Sequence, residues 1–441
     1  MEDSLLIKGG KPLKGDVFLS GAKNVALKVT IAALLFRGKV VLRNIPRIND
    51  IFEIFSLIHS LGGEAEFVGT NEVEIDSKNL SINKLDFLYA SKIRTSFMFF
   101  APLLYRFHKA YIPNPGGCRL GARSIDRIVE GLKALGIQVN YESSTGYYSA
   151  LMSHKPTGTY TFIKPSHTGT ELLIMMSVFC KDSVVIQNCA LEPEIDDLIL
   201  FLNISGAKIK KKGSTITIWG VEKLIQKNPF SIVSDRNEAV TYAIAGIVTR
   251  GDITIHSIPE NYISCFVNQL KEVGAGVEYI KDDSWRFFYK SALRPSHIIT
   301  NPHPGFMTDW QPNWAVLMTQ ANGVSIIHER VFENRFSYVN ELVKVGAKID
   351  FFQPKVKTPS SYYHFTYDKT KTYKQAIKIY GPQTLHNGVL TIADLRAGAT
   401  LALTGLITSG ETIINNVSIL ERGYENFVSK IVSLGGNIKK I

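Results

Sequence analysis

One arrangement of residues returns along the whole chain and limits what it can fold into: an apolar stripe at helical spacing, a glycine, then a short alternating stretch. It first reads Ile54-Phe55-Ser56-Leu57-Ile58-His59-Ser60-Leu61-Gly62-Gly63, and it comes back at 128–136, 200–207, 267–275, 342–347 and 428–436. The stripe predicts an amphipathic helix, and the glycine supplies the left-handed residue that ends it. Alternation such as Ala207-Lys208-Ile209-Lys210 predicts a half-buried strand. Each stripe follows a helix rich in small residues and a β-branched strand, so a unit of roughly 70 residues recurs about six times. About six units suggest an α/β protein of two lobes with about three units each. The boundary is expected near Asn228-Pro229-Phe230, and the N-terminal strands (Leu5-Leu6-Ile7, Val17-Phe18-Leu19) are expected to pair with the later lobe. The stretch from Phe351 to His386, rich in Lys, Tyr, Thr and Ser, is expected to be a surface elaboration.

Composition narrows the function classes. In 441 residues, 45% of them hydrophobic, there is enough apolar material for two or three domains. No apolar run approaches the roughly 20 residues of a membrane span, and Met1-Glu2-Asp3-Ser4 lacks the layout of a secretion signal, so a cytoplasmic protein is expected. Four cysteines, Cys118, Cys180, Cys189 and Cys265, are too scattered for a disulfide framework or a metal site. Cys180 and Cys189 sit in apolar text and are expected in the core. The net charge of +11 admits nucleic acid or small anions as partners. No nucleic-acid signature accompanies the basic runs, and Lys210-Lys211-Lys212 and the lysines from Lys355 to Lys378 are expected in solvated turns.

Polar clusters recur where the first helix of each unit should begin, the end whose N–H groups and dipole attract anions. In Ser20-Gly21-Ala22-Lys23-Asn24 the lysine suits either a phosphate or an exposed helix end. Ser91-Lys92-Ile93-Arg94-Thr95-Ser96 is a weaker case of the same kind. In Pro115-Gly116-Gly117-Cys118-Arg119-Leu120-Gly121-Ala122-Arg123 the glycines permit a mobile loop and the arginines favour a thiolate, although a loop cysteine can equally be a bystander. Ser166 and Thr168 in Pro165-Ser166-His167-Thr168-Gly169-Thr170-Glu171 fit a diphosphate or an ordinary N-cap. Glu192-Pro193-Glu194 fits a loop and cap, and Ser234-Asp235-Arg236-Asn237-Glu238 shares the ambiguity of Ser166. Asp309, Arg335, Arg396 and Arg422 stand in later loops, where several guanidinium forks at equivalent places suit a small polyanion. Each arginine alone fits a surface ion pair equally well.

Taken in order, these runs resemble the enolpyruvyl transferases over nearly the whole chain: 20–24, 115–123, 192–197, 235–238, 332–336, 394–396 and 422–425. The resemblance implies an inside-out α/β barrel fold in two domains, built from about six βαβαββ repeats, with one domain at 21–233 and the other at 1–20 plus 234–441. It also implies enolpyruvyl transfer from phosphoenolpyruvate to UDP-N-acetylglucosamine with loss of phosphate, no cofactor and no metal, as in peptidoglycan precursor synthesis. Under it, Cys118 is a general acid, adduct site and fosfomycin target, Asp309 is the base, and Asp394 takes part in proton handling. Lys23, Arg94, Arg123 and Arg422 hold the phosphate, while Arg335 and Arg396 hold the carboxylate. Asn24, Phe332, Ser124, Ile125, Asp126, Arg127, Ser166, His167 and Thr168 face the nucleotide sugar.

The chain departs from the family pattern at Lys28 and Ser124, each in place of Pro, at His167-Thr168-Gly169 in place of Val-Gly-Ala, and at Val240 in place of Gly. These departures leave open a different acceptor, such as a nucleoside monophosphate. A third expectation, a non-catalytic paralog that binds nucleotide sugars, is opposed by the complete set of Cys118, Asp309, Lys23 and arginines.

Overall fold

The structure is a computed structural model and describes residues 3–116 and 125–441. Those residues divide by contact into two units, 3–20 with 234–441 and 21–116 with 125–233. Each unit has its own apolar core.

Two kinds of helix build each unit. Every residue of Arg236–Val248 and of Gln311–Thr319 is buried, as is all of Lys23–Ala32 but Asn24. Apart from buried polar residues such as Lys28, Glu238 and Asn313, such helices are apolar or small on all faces, as interior helices are. In the first-described unit, Asn313 Nδ2 donates to Thr241 Oγ1 (2.9 Å) and Thr400 Oγ1 donates to Asn313 Oδ1 (2.8 Å), which joins the inner helices Arg236–Val248, Gln311–Thr319 and Leu395–Ile407. The second kind is amphipathic: Glu260–Glu272 buries Ile263, Phe266, Val267 and Leu270 and leaves its other face to solvent. These are the stripes expected from sequence. Gly62, Gly136, Gly206, Gly274, Gly346 and Gly435, which follow them, all have φ between +87° and +104°.

Six sheets carry the repeat among the described residues. In the sheet Lys208–Lys212, Thr215–Trp219, Ser183–Gln187, Gly158–Thr161, the last pair is parallel and the others antiparallel. Five sheets have four strands; the sixth, Lys109–Pro113, Tyr147–Leu151, Gln138–Glu142, has three, and a single parallel bridge from Lys84 to Tyr111 stands where its first strand belongs. Ser4–Lys8 lies between Glu411–Asn415 and Asn437–Lys440, and Lys14–Phe18 pairs in parallel with Asp252–His256. In the other unit Phe230–Ser231 supplies the parallel partner of Lys39–Arg43.

Three expectations change. Lys210, Lys211 and Lys212 lie in a paired strand: Lys210 and Lys212 face solvent, while Lys211, on the same face as buried Ile209, is largely covered and pairs with Asp196. The 351–386 stretch is more than surface: Tyr363, Phe365 and Tyr373 form a small apolar cluster of their own. Arg335 and Arg422 precede second helices, Ser337–Lys344 and Phe427–Ser433, whereas Asp309 and Asp394 precede first helices. Cys180 and Cys189 are buried, as expected. No helix among the described residues is long and apolar enough to cross a membrane.

Candidate active site

In the unit formed by 3–20 and 234–441, the helix Leu395–Ile407 starts on Asp394, whose Oδ1 accepts from Arg396 N (3.0 Å) and Ala397 N (3.1 Å). A carboxylate suits that position because the first N–H groups of a helix have no partner within it. The same oxygen accepts from Arg335 Nη1 (3.0 Å), and Oδ2 accepts from Ser337 Oγ (3.0 Å). With both oxygens engaged, Asp394 fixes Arg335 and the helix start.

Arg335, 1% exposed, reaches onward with Nη2 to Asp309 Oδ1 (2.9 Å). Arg396 Nε approaches the other Asp309 oxygen at 3.5 Å. Asp309 therefore stands between two guanidiniums, and at 24% side-chain exposure it is the most open member of the group. Burial pulls the Arg396 pKa down, but Tyr424, Asp309 and Asp235 together hold it above the ordinary arginine value. Its Nη1 is buried with no hydrogen-bond partner among the described residues. Phe332 is placed by Glu329, whose Oε1 accepts from Val331 N (2.7 Å) and Phe332 N (3.0 Å). Glu329 is wholly buried, and that burial pushes its pKa up. Arg422 is partly buried in the turn before Phe427–Ser433.

In the unit formed by 21–116 and 125–233, Lys23 is the first residue of Lys23–Ala32 and only 8% exposed. Its Nζ lies 2.7 Å from Asp50 Oδ2, in the first turn of Asn49–Ser60, so it is a buried ion-pair partner and the exposed helix-end alternative falls away. Asn24 is partly exposed beside it, and Arg94 opens the short 3-10 helix Arg94–Phe99. Cys118, Arg123 and Ser124 lie outside the described residues.

The remaining nucleotide candidates gather around the start of His167–Ser177. Ser166 is its N-cap, accepting from Gly169 N at 3.2 Å. Arg127, in the first turn of Asp126–Ala134, donates through Nη1 to Pro165 O (3.4 Å). Burial lowers the Arg127 pKa; burial and the Arg127 charge lower that of Lys164. Thr168 is partly exposed, Asp126 is exposed, and Ile125 is turned into the core. His167 Nε2 lies 3.1 Å from Glu171 Oε1.

The family described as EPSP synthase (3-phosphoshikimate 1-carboxyvinyltransferase) matches residues 7–431. The chain belongs to that family of enolpyruvyl transferases. A relative from Finegoldia magna, named UDP-N-acetylglucosamine 1-carboxyvinyltransferase, is 36% identical and covers 99% of this chain and 98% of its own. One of the same name from Bdellovibrio bacteriovorus is 37% identical over 99% of this chain and 100% of its own. Among solved structures, the enolpyruvyl transferase NikO from Streptomyces tendae is similar at a TM-score of 0.85 and 22% identity, covering 100% of this chain and 99% of that one. An EPSP synthase from Acinetobacter baumannii is similar at 0.73 and 17% identity, each chain covered to 99%. The structural likenesses establish the enolpyruvyl transferase fold.

Within this enolpyruvyl transferase, sequence reasoning missed the residues that act on other side chains. Asp50 pairs Lys23, Ser337 and Thr308 brace Asp394 and Glu329, and Lys164 adds a cation beside Arg127. Only Lys164 had a visible signal, since it directly precedes Pro165-Ser166.

Proposed function

We propose that the protein transfers the enolpyruvyl group of phosphoenolpyruvate to the 3′-hydroxyl of UDP-N-acetylglucosamine and releases phosphate, in the cytoplasm, at the entry to peptidoglycan precursor synthesis. The most direct support is that relatives of this name, 36–37% identical, match over 98–100% of their own length. The geometry adds a carboxylate between two guanidiniums, Asp309, beside a buried guanidinium nitrogen on Arg396 that a substrate carboxylate would satisfy.

In this reading Cys118 donates a proton to the methylene carbon of phosphoenolpyruvate, and the sugar hydroxyl attacks the adjacent cationic carbon while Asp309 takes its proton. The tetrahedral ketal then loses a methyl proton and expels phosphate, which restores the double bond. Lys23, Arg94, Arg123 and Arg422 hold the phosphate, since fixed cations at a developing anion stabilise the transition state. Arg335 and Arg396 hold the carboxylate, and Arg335, engaged also by Asp309 and Asp394, positions the base. Asn24, Phe332, the 124–127 segment and 166–168 face the nucleotide sugar.

The deciding experiment is phosphate release from phosphoenolpyruvate with a panel of acceptors. Release with UDP-N-acetylglucosamine is expected; silence with it and release with a nucleoside monophosphate would select the second acceptor, which the departures at Ser124 and His167-Thr168 leave open. Cys118→Ser is expected to abolish labelling by fosfomycin, and labelling that persists elsewhere would remove the cysteine from the mechanism.

A further inference from the structure

Two positions at which the chain departs from the family pattern, Lys28 and His167, meet on one carboxylate. Lys28 Nζ lies 3.2 Å from Glu171 Oε2, and His167 Nε2 lies 3.1 Å from Glu171 Oε1. Glu171 is fully buried and Lys28 nearly so, while 23% of the His167 side chain stays exposed. A second carboxylate, Glu192, is buried at the entry to helix Pro193–Ile204 and also acts on the imidazole; its Oε2 has no hydrogen-bond partner among the described residues.

With both carboxylates ionised, the four groups balance when His167 is an imidazolium. Lys28 and an imidazolium offset Glu171 and Glu192, whereas a neutral imidazole leaves a buried negative charge uncompensated, which is costly in a low dielectric. Burial lowers the His167 pKa and Lys28 lowers it too, but Glu171, with help from Glu192, carries it above the ordinary 6.5. Nε2 faces Glu171, so Nδ1–H is the donor left for a ligand. Lys28 stands at ion-pair distance from the other Glu171 oxygen, and the contacts on Glu171 are electrostatic, since neither of its oxygens nor His167 Nε2 has a hydrogen-bond partner among the described residues.

We propose that Lys28 and Glu171 are positioning residues that hold His167 as an imidazolium donor to a phosphate group of the nucleotide acceptor. The proposal rests on the reading of 166–168 as part of the acceptor site. Its sign follows directly: the acceptor binds best below the imidazole pKa, and its KM rises as pH climbs through that value.

The test is the pH profile of acceptor KM, kcat and phosphoenolpyruvate KM in the full chain, with UDP-N-acetylglucosamine, whose diphosphate diester does not itself titrate near neutrality. Acceptor KM is expected to rise about tenfold through the imidazole pKa, the effect of losing one charge-assisted hydrogen bond, while kcat and phosphoenolpyruvate KM do not follow. Glu171→Gln should move the rise to lower pH and Lys28→Met to higher pH, opposite shifts that loss of packing does not produce. His167→Val should abolish the rise and leave a weak, flat affinity. If the two buried variants do not fold, the wild-type and His167→Val profiles decide. A flat wild-type profile, or a rise that survives His167→Val, overturns the assignment. Absence of phosphate release at every pH instead sinks the proposed function; the same pH series is then measured by calorimetry with uridine 5′-monophosphate, and an affinity whose pH dependence is unchanged in His167→Val overturns the His167 assignment on its own.

Discussion

Two pairs of cations, one pair in each unit, stand in opposite electrostatic surroundings. In the 3–20 and 234–441 unit, Arg335 bridges Asp309 and Asp394, and Arg396 is held above its ordinary pKa by Tyr424 and two aspartates. In the 21–116 and 125–233 unit, Arg127 and Lys164 are held below theirs, by burial and, at Lys164, by the Arg127 charge. A cation beside carboxylates is already largely compensated and can fix geometry, as Arg335 does, although Arg396 keeps a buried Nη1 with no hydrogen-bond partner among the described residues. A cation lowered by its surroundings gains most when an anion arrives. On the proposed function, the difference suits base chemistry and its scaffold in the first unit and reception of the nucleotide's negative charge near Arg127 and Lys164 in the second.

The comparison breaks most visibly at Asp309. Asp309→Ala should lower turnover by about 10²–10⁴-fold, the range for removing a general base, with calorimetric affinity for the nucleotide sugar largely kept. Turnover near that of the wild type would return Asp309 to a merely structural carboxylate. The scaffold claim is tested by Arg335→Met, which removes the cation that Asp309 and Asp394 share. Breaking such a network by removing one partner costs about 3–5 kcal/mol, read as a lower midpoint in urea. A midpoint unchanged from wild type would mean that Asp394 and Asp309 are held by other groups.

How far these contrasts could be read in the sequence depends on their range. Helix type and its glycine stop are local, so the stripe ending at Gly62 and the one ending at Gly435 both predicted what the backbone does. Asp394 as a helix start is local too. Its bond to Arg335 spans 59 residues and joins two repeats, and no periodicity announces it. The resemblance implies a substrate carboxylate for Arg335; its contacts to two aspartates were not legible in the sequence. Lys28 and His167 were visible only as separate oddities, because they meet through Glu171 across two helices.

The receiving half has a smaller test. Lys164→Gln should raise the acceptor KM about tenfold while kcat changes little, because a charge that binds ground and transition states equally lowers KM without raising kcat. An equal fall in kcat and kcat/KM would place Lys164 with the reacting groups and erase the division between the halves.

The smallest effect tests what the halves should share. Gly206 and Gly435 end equivalent helices, one in each unit, with φ of +104° and +88°. A Cβ at either position would meet nothing within 4 Å, so alanine there adds no clash. What remains is the cost of holding an L-residue in the left-handed region, about 1–2 kcal/mol. Gly206→Ala and Gly435→Ala should therefore destabilise to the same extent in chemical denaturation, without altering either substrate's KM. Unequal losses would show that the repeat is equivalent in shape alone, with one unit relaxing around the strained turn where the other cannot. Equal losses would leave the contrast between the units confined to their charged groups, laid over one shared backbone plan.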